Sequence, residues 1–235
     1  MRFDGLNIEP FPPLETAAPE GLLAIGGDLS PERLVLAYRN GIFPWFNSND
    51  PILWWSPDPR CVIFPQQFVP SRSLSKSIRN RGYDITFDRA FEQVIKGCAG
   101  PRRQQPGTWI TGSMLQAYVT LHQLGIAHSV EAWHHDKLVG GLYGIALGTV
   151  FFGESMFSRE TDASKVAFAK LIENLVEWRF TLLDCQVTSP HIVSLGAVEI
   201  PRTAFIKHLE SGVPQQGVVS NWLIKQDLQA DKRAS

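Results

Sequence analysis

The sequence predicts an α+β fold (mixed α/β), with a small, loop-rich N-terminal domain over residues 1–60 and a larger domain over 61–235. Two observations predict it. Proline and glycine break the first sixty residues into short pieces, whereas strand-like and helix-like patterns alternate along the rest of the chain. Because two of the strand-like stretches are joined by a turn as a hairpin, we expect a largely antiparallel mixed sheet flanked by helices.

The elements follow from local patterns. One helix is predicted over residues 31–40, because Ser30 can cap it, Pro31 suits its first turn and Gly41 follows its end. Further on, the predicted strands cover 83–87, 128–133, 138–146, 149–152 and 180–187. The predicted helices cover 91–97, 113–124 with Thr111 as the cap, and a stretch from Asp162 or Ser164 to about residue 178. This last helix carries one apolar stripe, made of Phe168, Leu171, Ile172 and Leu175.

The composition is that of an ordinary globular protein. The 235 residues include 22 Lys and Arg against 23 Asp and Glu, and 44% are hydrophobic. These values exclude a disordered tail, a coiled coil and a globally basic histone-like binder. Cys61, Cys98 and Cys185 share no ligand spacing, and no apolar run is long enough for a signal peptide or a membrane span. We therefore expect a cytoplasmic protein with reduced thiols, no bound metal and no membrane contact.

The charge is unevenly distributed along the chain. Residues 60–103 contain nine basic and three acidic residues, a net charge of +6 in a protein whose total is −1. Arg72, Lys76 and Arg79 follow one another at helical spacing, so they share one helix face, and Arg81 lies close behind. Such a stripe is suited to a phosphate backbone, and a solvated helix face without a partner is the alternative.

Aromatic residues are concentrated in two stretches that are rich in turn residues. The sequences GIFPWF (41–46) and WWSPDPR (54–60) contain three Trp and two Phe, and RRQQPGTWIT (102–111) adds two Arg beside Trp109. Exposed aromatic rings on turns can stack on unpaired bases. The alternative for the first stretch is a hydrophobic seam between domains, and the spacing alone favours that alternative.

Three polar side chains stand out in apolar surroundings. Asp184 and Gln186 lie two apart in LLDCQV (182–187), so they project to the same face of a strand, while Glu154 comes just after a strand in FFGESMF (151–157). Acids beside an apolar pocket are candidates for proton transfer. The alternative is that each is a buried polar group satisfied by the backbone. His134 and His135 fall on the hairpin turn, and His191 fits a structural hydrogen bond better than a base.

Taken together, these segments resemble the leucyl/phenylalanyl-tRNA–protein transferase family. The resemblance covers residues 20–202, and its segments come in the family order. They are GLLAIGGDLSPERL (21–34), GIFPWF (41–46), WWSPDPR (54–60), GTWIT (107–111), LVGGLYG (138–144), FFGESMFS (151–158), ASK (163–165), LLDCQV (182–187), SLGA (194–197) and IPR (200–202).

The resemblance implies a fold and a reaction. The larger domain would have the GNAT acyltransferase fold, and the protein would transfer Leu, Phe and less readily Met from tRNA to the N-terminal Arg or Lys of a protein. The product would carry a destabilising N-terminal residue that directs the protein to N-degron proteolysis. Because an aminoacyl ester is already activated, its aminolysis needs neither ATP nor a metal, and no cofactor is expected. We expect the protein to act as a monomer.

The resemblance also implies roles for individual residues. Trp45 and Trp109 would hold the 3′-terminal adenosine of the tRNA, Asp184 and Gln186 would be the catalytic pair, and Glu154 would line the acceptor side. A pocket for the amino-acid side chain would be formed by Leu142, Phe151, Phe168, Leu171, Leu175 and Leu183. Arg72, Lys76, Arg79 and Arg81 would bind the tRNA backbone. Simple alternation places Leu183 opposite Asp184, so both serve one site only if the strand is bulged or splayed.

Two other functions compete with this reading. A GNAT N-acetyltransferase would use acetyl-CoA, but the glycine-containing loop that usually wraps the pyrophosphate is absent from the sequence. A non-catalytic RNA-binding module would explain the basic stripe and the exposed Trp residues. It would leave Asp184, Gln186 and Glu154 without a role.

Overall fold

The computed structural model of the protein describes residues 9–100, 109–214 and 222. In the N-terminal part, β1 (Leu22–Ile25), β2 (Phe43–Pro44) and β3 (Leu53–Trp55) form a small sheet in the order β1-β3-β2. A second sheet has seven strands, which are β4 (Arg60–Ile63), β5 (Asp84–Phe87), β6 (Ala127–His134), β7 (Lys137–Leu147), β8 (Val150–Ser158), β9 (Leu182–Gln186) and β10 (Val198–Ile200). Their order is β10-β4-β9-β8-β7-β6-β5.

Helices cover both faces of the large sheet. Those in the described part of the chain are α1 (Pro31–Arg39), α2 (Arg72–Asn80), α3 (Phe91–Ala99), α4 (Gly112–Gln123), α5 (Ala163–Glu177), α6 (Pro190–Ser194) and α7 (Arg202–Gly212). Neighbouring strands of the large sheet run antiparallel, except for β8 and β9, which are parallel. This arrangement confirms the predicted α+β fold. No helix among the described residues combines the length and the apolar character needed to cross a bilayer.

Local sequence signals explain where the helices begin. The side chains of Ser30, Ser71 and Thr111 each accept a hydrogen bond from the backbone N–H three residues later, at the starts of α1, α2 and α4. Such caps satisfy backbone donors that a helix leaves free in its first turn. The predicted helix at 31–40 is therefore confirmed. On α5 the apolar stripe is buried as predicted.

One predicted boundary is wrong in a way that matters for the site. The apolar pattern predicts a strand over 149–152, with Glu154 just beyond it, but β8 continues to Ser158. The reason is the pairing with β7, which extends along the whole of β8, from Val150 opposite Leu147 to Ser158 opposite Gly140. Glu154 therefore lies inside a strand, and the pairing with β7 fixes its backbone.

Each face of the large sheet has its own apolar core. On one face, α3, α4 and the N-terminal unit pack together, and Leu34 of α1 shares that cluster with Phe152 of β8. On the other face, α5 packs against residues that include Phe151 and Leu183. β4 already belongs to the large sheet although it begins at residue 60. The division at that residue stays a prediction.

The two central strands separate part-way along their length. β8 and β9 pair only from Val150 opposite Leu182 to Phe152 opposite Asp184, although both strands continue beyond that point. β9 is also irregular against β4, because Cys61 is paired with Gln186 and the next residue, Val62, with Asp184. Cys185 is thus an extra residue in a β-bulge, a feature that bends a strand and redirects its side chains. The separation leaves an opening between β8 and β9 that reaches both faces of the sheet.

Candidate active site

A cavity of about 1210 Å³ occupies the opening between β8 and β9. Its walls come from both faces of the sheet. The predicted residues that line it are Trp45, Trp109, Leu142, Phe151, Glu154, Phe168, Leu171, Leu183 and Gln186. Of the predicted side-chain pocket and acid–amide group, only Leu175 and Asp184 are not part of its lining. The structure thus brings most of the predicted site together in one space.

The apolar end of the cavity lies over α5. Phe168 and Leu171 project from this helix towards Phe151 on β8 and Leu183 on β9, and all four belong to one buried cluster. Leu175, one turn further along α5, is fully buried in the same cluster. Leu175 therefore supports the wall from behind and is not placed to touch a ligand.

The separation of β8 and β9 resolves the conflict between Leu183 and Asp184. The two side chains project to opposite faces, since Leu183 packs with the α5 cluster while Asp184 contacts Arg60 on the other side. Beyond Phe152, however, β9 no longer pairs with β8 and no other strand among the described residues takes its place, so the cavity passes through the sheet. An apolar pocket on one face can therefore meet polar groups on the other.

The aromatic stretch divides into buried and exposed members. Phe43, Phe46 and Trp54 are buried, so for them the hydrophobic seam is the correct interpretation. Trp45 is 44% exposed and lies at the cavity, with its ring 5.8 Å from that of Trp55. Trp55 Nε1 donates a hydrogen bond to the Trp45 carbonyl at 2.7 Å, which fixes the backbone that carries the exposed ring.

Glu154 is held by three donors. Tyr38 of α1 donates to its Oε1 at 2.7 Å, Tyr118 of α4 donates to its Oε2 at 2.8 Å, and Gln186 Nε2 donates to Oε1 at 2.7 Å. The two tyrosine oxygens are themselves 2.5 Å apart. Both tyrosines are fully buried, whereas Glu154 is partly exposed to the cavity. A ligand can therefore reach the carboxyl but not the tyrosines.

The environment shifts the pKa of Glu154 upward. Burial is the largest cause and raises the pKa from 4.5 to about 7, because a charged carboxylate is poorly solvated there, and the charge of Asp184 acts in the same direction. The hydrogen bonds from Tyr38, Tyr118 and Gln186 oppose the shift by stabilising the carboxylate. A carboxyl with a pKa near 7 can both accept and release a proton at physiological pH.

Asp184 is engaged by an arginine on the neighbouring strand. Arg60 Nε and Nη2 donate to Asp184 Oδ1 and Oδ2 at 2.8 and 2.7 Å, and neither side chain is exposed at all. Arg60 Nη1 also donates to the Gly41 carbonyl at 2.9 Å, and its guanidinium lies over the rings of Phe43 and Phe205. The Asp184 carboxylate is thus buried and receives hydrogen bonds from the Arg60 side chain. The alternative expected the backbone to supply them.

Asp184 is connected to the cavity through Gln186. Asp184 Oδ1 accepts a hydrogen bond from the Gln186 N–H at 2.9 Å. Gln186 has a φ of 63°, in the left-handed region that side chains other than glycine rarely adopt. The bond to Asp184 stabilises this backbone, and the backbone in turn directs the Gln186 amide to Glu154.

The basic stripe is present and exposed. Arg72, Lys76 and Arg79 lie on the outer face of α2, and Arg81 is exposed at its end. On its inner face, Ser77 donates to Asp162 at 2.8 Å, and Asp162 is part of the cavity wall, so α2 lies beside the cavity. Arg60, which belongs to the same basic segment of the sequence, is buried and contributes nothing to this surface. Arg102 and Arg103 lie outside the described residues.

The histidines have the roles expected from the sequence. His134 is the last residue of β6 and His135 begins the turn of the β6–β7 hairpin, and the His134 ring contacts Glu160 at 2.8 Å. His191 lies against Met156 Sδ at 3.3 Å in the cavity wall, and burial lowers its pKa, so the neutral form is favoured.

Sequence reasoning missed three residues of the site. Tyr38, Tyr118 and Arg60 contact Glu154 or Asp184 from 116, 36 and 124 residues away along the chain. Tyr38 and Tyr118 sit among ordinary apolar helix positions, where nothing distinguishes them from core residues. For Arg60 the only signal is a charged residue followed by the apolar strand residues 61–64.

Comparisons with known proteins identify the family of the chain. A family model described as "Leucyl/phenylalanyl-tRNA protein transferase" matches residues 62–210, and one for the N-terminal domain of the same family matches residues 27–58. The chain belongs to this family. Its members are aminoacyltransferases, and so is this protein.

Two relatives show how close the similarity is. The chain is 61% identical over 201 residues to the leucyl/phenylalanyl-tRNA–protein transferase of Stutzerimonas stutzeri (strain A1501), covering 85% of this chain and 89% of that protein. It is 60% identical over 202 residues to the protein of the same name from Syntrophotalea carbinolica, covering 86% and 88%. Among solved structures, L-PGS from Bacillus licheniformis matches with a TM-score of 0.39 at 15% identity, covering 68% of this chain and 52% of that one, which supports no conclusion.

Proposed function

We propose that the protein transfers Leu or Phe, and less readily Met, from aminoacyl-tRNA to the N-terminal Arg or Lys of an acceptor protein. The α-amino group of the acceptor attacks the ester carbonyl, a peptide bond forms, and the tRNA leaves with a free hydroxyl. The product would carry a destabilising N-terminus for N-degron proteolysis in the cytoplasm. The observation that carries this proposal is one cavity, which joins an apolar pocket, the rings of Trp45 and Trp109 and a carboxyl with a raised pKa.

The donor would bind at the apolar end and at the tryptophans. Phe151, Phe168, Leu171 and Leu183 form a wall without charge, which suits the side chain of Leu, Phe or Met. An apolar pocket separates side chains that differ by one methylene by only about 1–3 kcal/mol, so overlapping use of the three donors is expected. Trp45 and Trp109 would stack on the 3′-terminal adenosine, and the stripe on α2 would bind the tRNA backbone without reading its sequence.

The acceptor would bind beside Glu154 and Gln186. The carboxylate form of Glu154 provides negative charge for a basic N-terminal residue, and Gln186 provides an amide that can orient the terminal amine. Asp184 is buried and paired with Arg60, which supports a role through Gln186 and argues against direct removal of a proton. We therefore assign Asp184 the task of holding Gln186 in place.

The test is a transfer assay with purified components. Protein is mixed with tRNA charged with labelled Leu and with a model protein whose N-terminal residue is Arg. In parallel reactions Ala replaces the N-terminal Arg, and free Leu with ATP replaces the charged tRNA. We expect transfer only with charged tRNA and the Arg acceptor.

Two outcomes would overturn the proposal. Acetyl transfer from acetyl-CoA in a reaction without tRNA would make the protein an N-acetyltransferase. Tight tRNA binding without transfer in a single turnover would make it a binding module. A separate comparison tests the acceptor assignment, because Glu154→Gln should weaken the preference for basic over neutral N-termini, and an unchanged preference would contradict it.

A further inference from the structure

Three oxygen-bearing side chains form a closed group at the polar end of the cavity. Tyr38 contacts Glu154 Oε1 at 2.7 Å, Tyr118 contacts Oε2 at 2.8 Å, and the two tyrosine oxygens contact each other at 2.5 Å. All three distances are within the range of O–H···O hydrogen bonds. Each such contact requires one proton between its two oxygens.

The number of protons in this group depends on the charge of Glu154. A phenol contributes one proton, so Tyr38 and Tyr118 together supply two. When Glu154 is ionised, two protons are available for three contacts, so one pair of oxygen atoms is in contact without a proton between them. When Glu154 is protonated, the group has three protons for three contacts. The group can therefore accommodate both charge states of Glu154, because the carboxylate accepts hydrogen bonds from both tyrosines and an added proton serves the third contact.

The tyrosines keep their protons while Glu154 titrates. The titratable groups that act on Glu154 are Tyr38 of α1, Tyr118 of α4 and Asp184 of β9, and Tyr143 of β7 packs against Tyr118 with its ring centre 5.4 Å away. The charge of Asp184, which is paired with Arg60, raises the pKa of Glu154. Burial and the neighbouring carboxylate raise the pKa of both tyrosines well above 10, so they keep their protons when Glu154 gains or loses one.

We propose that Glu154 accepts a proton from the α-ammonium group of the acceptor, and that Tyr38 and Tyr118 are positioning residues whose hydroxyl groups hold the carboxyl in place while its charge changes. This inference rests on the proposed function. Because both tyrosines are buried, they act on the substrate only through Glu154. Tyr38 lies on α1, so the N-terminal unit becomes a part of the catalytic machinery.

The protons balance over the reaction. An α-ammonium group has three protons on nitrogen and the amide product keeps one, so two must leave. The first passes to the Glu154 carboxylate, which leaves a neutral amine that can attack the ester carbonyl. The second leaves the attacking nitrogen after the new C–N bond forms and passes to the ester oxygen, which departs as the tRNA hydroxyl. Glu154 then returns its proton to solvent, and the enzyme is regenerated.

The experiment is a pH profile of the single-turnover transfer rate at saturating Leu-tRNA and with Arg-peptide well below saturation, so that the profile reports ionisations of the donor-bound enzyme and of the free peptide. We expect an acid limb set by Glu154, in which the rate rises with pH as the carboxyl ionises near pH 7. Tyr118→Phe and Tyr38→Phe each remove a donor that stabilises the carboxylate, so each should shift this limb to higher pH by about one unit. Glu154→Gln should lower the rate and remove the limb near pH 7, which leaves only the ionisation of the acceptor amine near pH 8.

A matched control is Tyr83→Phe. Its hydroxyl donates to the Thr161 carbonyl at 2.9 Å and approaches Glu160 at 3.5 Å, so the same substitution removes a tyrosine hydroxyl from a different carboxylate. We expect its profile to match that of the unchanged protein. The acceptor amine itself titrates near pH 8, but that ionisation belongs to the peptide and cannot move with a substitution in the enzyme.

The outcomes separate this inference from the proposed function. If the unchanged protein transfers nothing, the proposed function fails. If it transfers Leu but all variants share one acid limb, or if Glu154→Gln keeps the limb near pH 7, the proposed function stands and the role of Glu154 as proton acceptor is refuted. Thermal melting of each variant shows that the folded protein is being assayed.

Discussion

The buried ion pair between Arg60 and Asp184 allows a prediction that joins stability to activity. Asp184→Ala would remove the partner of a guanidinium that has no exposure to water. Arg60 and Asp184 take part in four hydrogen bonds. The substitution removes the two between Arg60 and Asp184 and the one between Asp184 and Gln186, and only the bond from Arg60 to the Gly41 carbonyl remains. The variant therefore keeps a buried charge without a counter-charge.

The expected cost is large relative to the stability of a protein. Removing one member of a buried pair destabilises by about 3–5 kcal/mol, and total stabilities are roughly 5–15 kcal/mol. At about 2–4 °C for each kcal/mol in a protein of this size, Tm should fall by roughly 6–20 °C. The free energy of unfolding is measured by urea denaturation, with an unchanged m-value as the check that the transition stays two-state.

A double variant separates the two roles of Asp184. Replacing Arg60 with Met and Asp184 with Leu removes both charges, so most of the stability should return. Transfer activity should not return, because the Gln186 N–H loses its acceptor and the backbone at φ 63° is no longer held. A loss of less than about 1 kcal/mol in the free energy of unfolding of Asp184→Ala would contradict the importance of the ion pair for stability. Full transfer activity in the double variant would contradict the role of Asp184 in holding Gln186.

Other variants test the remaining parts of the cavity and the surface beside it. Leu171→Ala widens the apolar end, so the ratio of kcat/KM for Leu over Phe should fall by about 10-fold in a competition assay; an unchanged ratio would remove Leu171 from the donor pocket. Trp45→Ala should weaken binding of an aminoacyl-adenosine fragment by about 1–3 kcal/mol in a titration, and unaltered affinity would contradict stacking. Charge reversal of Arg72, Lys76 and Arg79 should weaken tRNA binding and flatten its dependence on salt by about 0.7–0.9 in the log–log slope for each lost contact. A slope equal to that of the unchanged protein would leave the stripe as a solvated face.

Local parts of the fold could be predicted because their causes are local. Helix α1 begins after Ser30 because one side chain can satisfy a nearby N–H, and the stripe on α5 is visible at helical spacing over residues 168–175. The extent of β8 could not be predicted, since Gly153, Glu154 and Ser155 interrupt its apolar pattern and the pairing that sustains it comes from β7.

The charge states of the site residues depend on contacts between distant parts of the chain, and this limits what the sequence can predict. Asp184, Gln186 and Glu154 could be singled out as polar residues in apolar segments, and the resemblance added Trp45 and Trp109. The state of each acid depends on partners more than 30 residues away, so neither the ion pair of Asp184 nor the raised pKa of Glu154 follows from its neighbours in the sequence. The separation of β8 and β9, which joins the two faces of the sheet, is likewise a property of the folded chain.

We propose that one cavity holds both substrates, with the donor side chain over α5 and the acceptor amine beside Glu154. The decisive experiment is a crystal structure with a hydrolysis-resistant leucyl-adenosine amide and a short peptide that begins with Arg. We expect the adenine against Trp45 and Trp109, the Leu side chain between Phe151 and Leu171, and the peptide amine within hydrogen-bond distance of Glu154 or Gln186. A donor side chain outside the apolar end, or an amine remote from both polar groups, would contradict it.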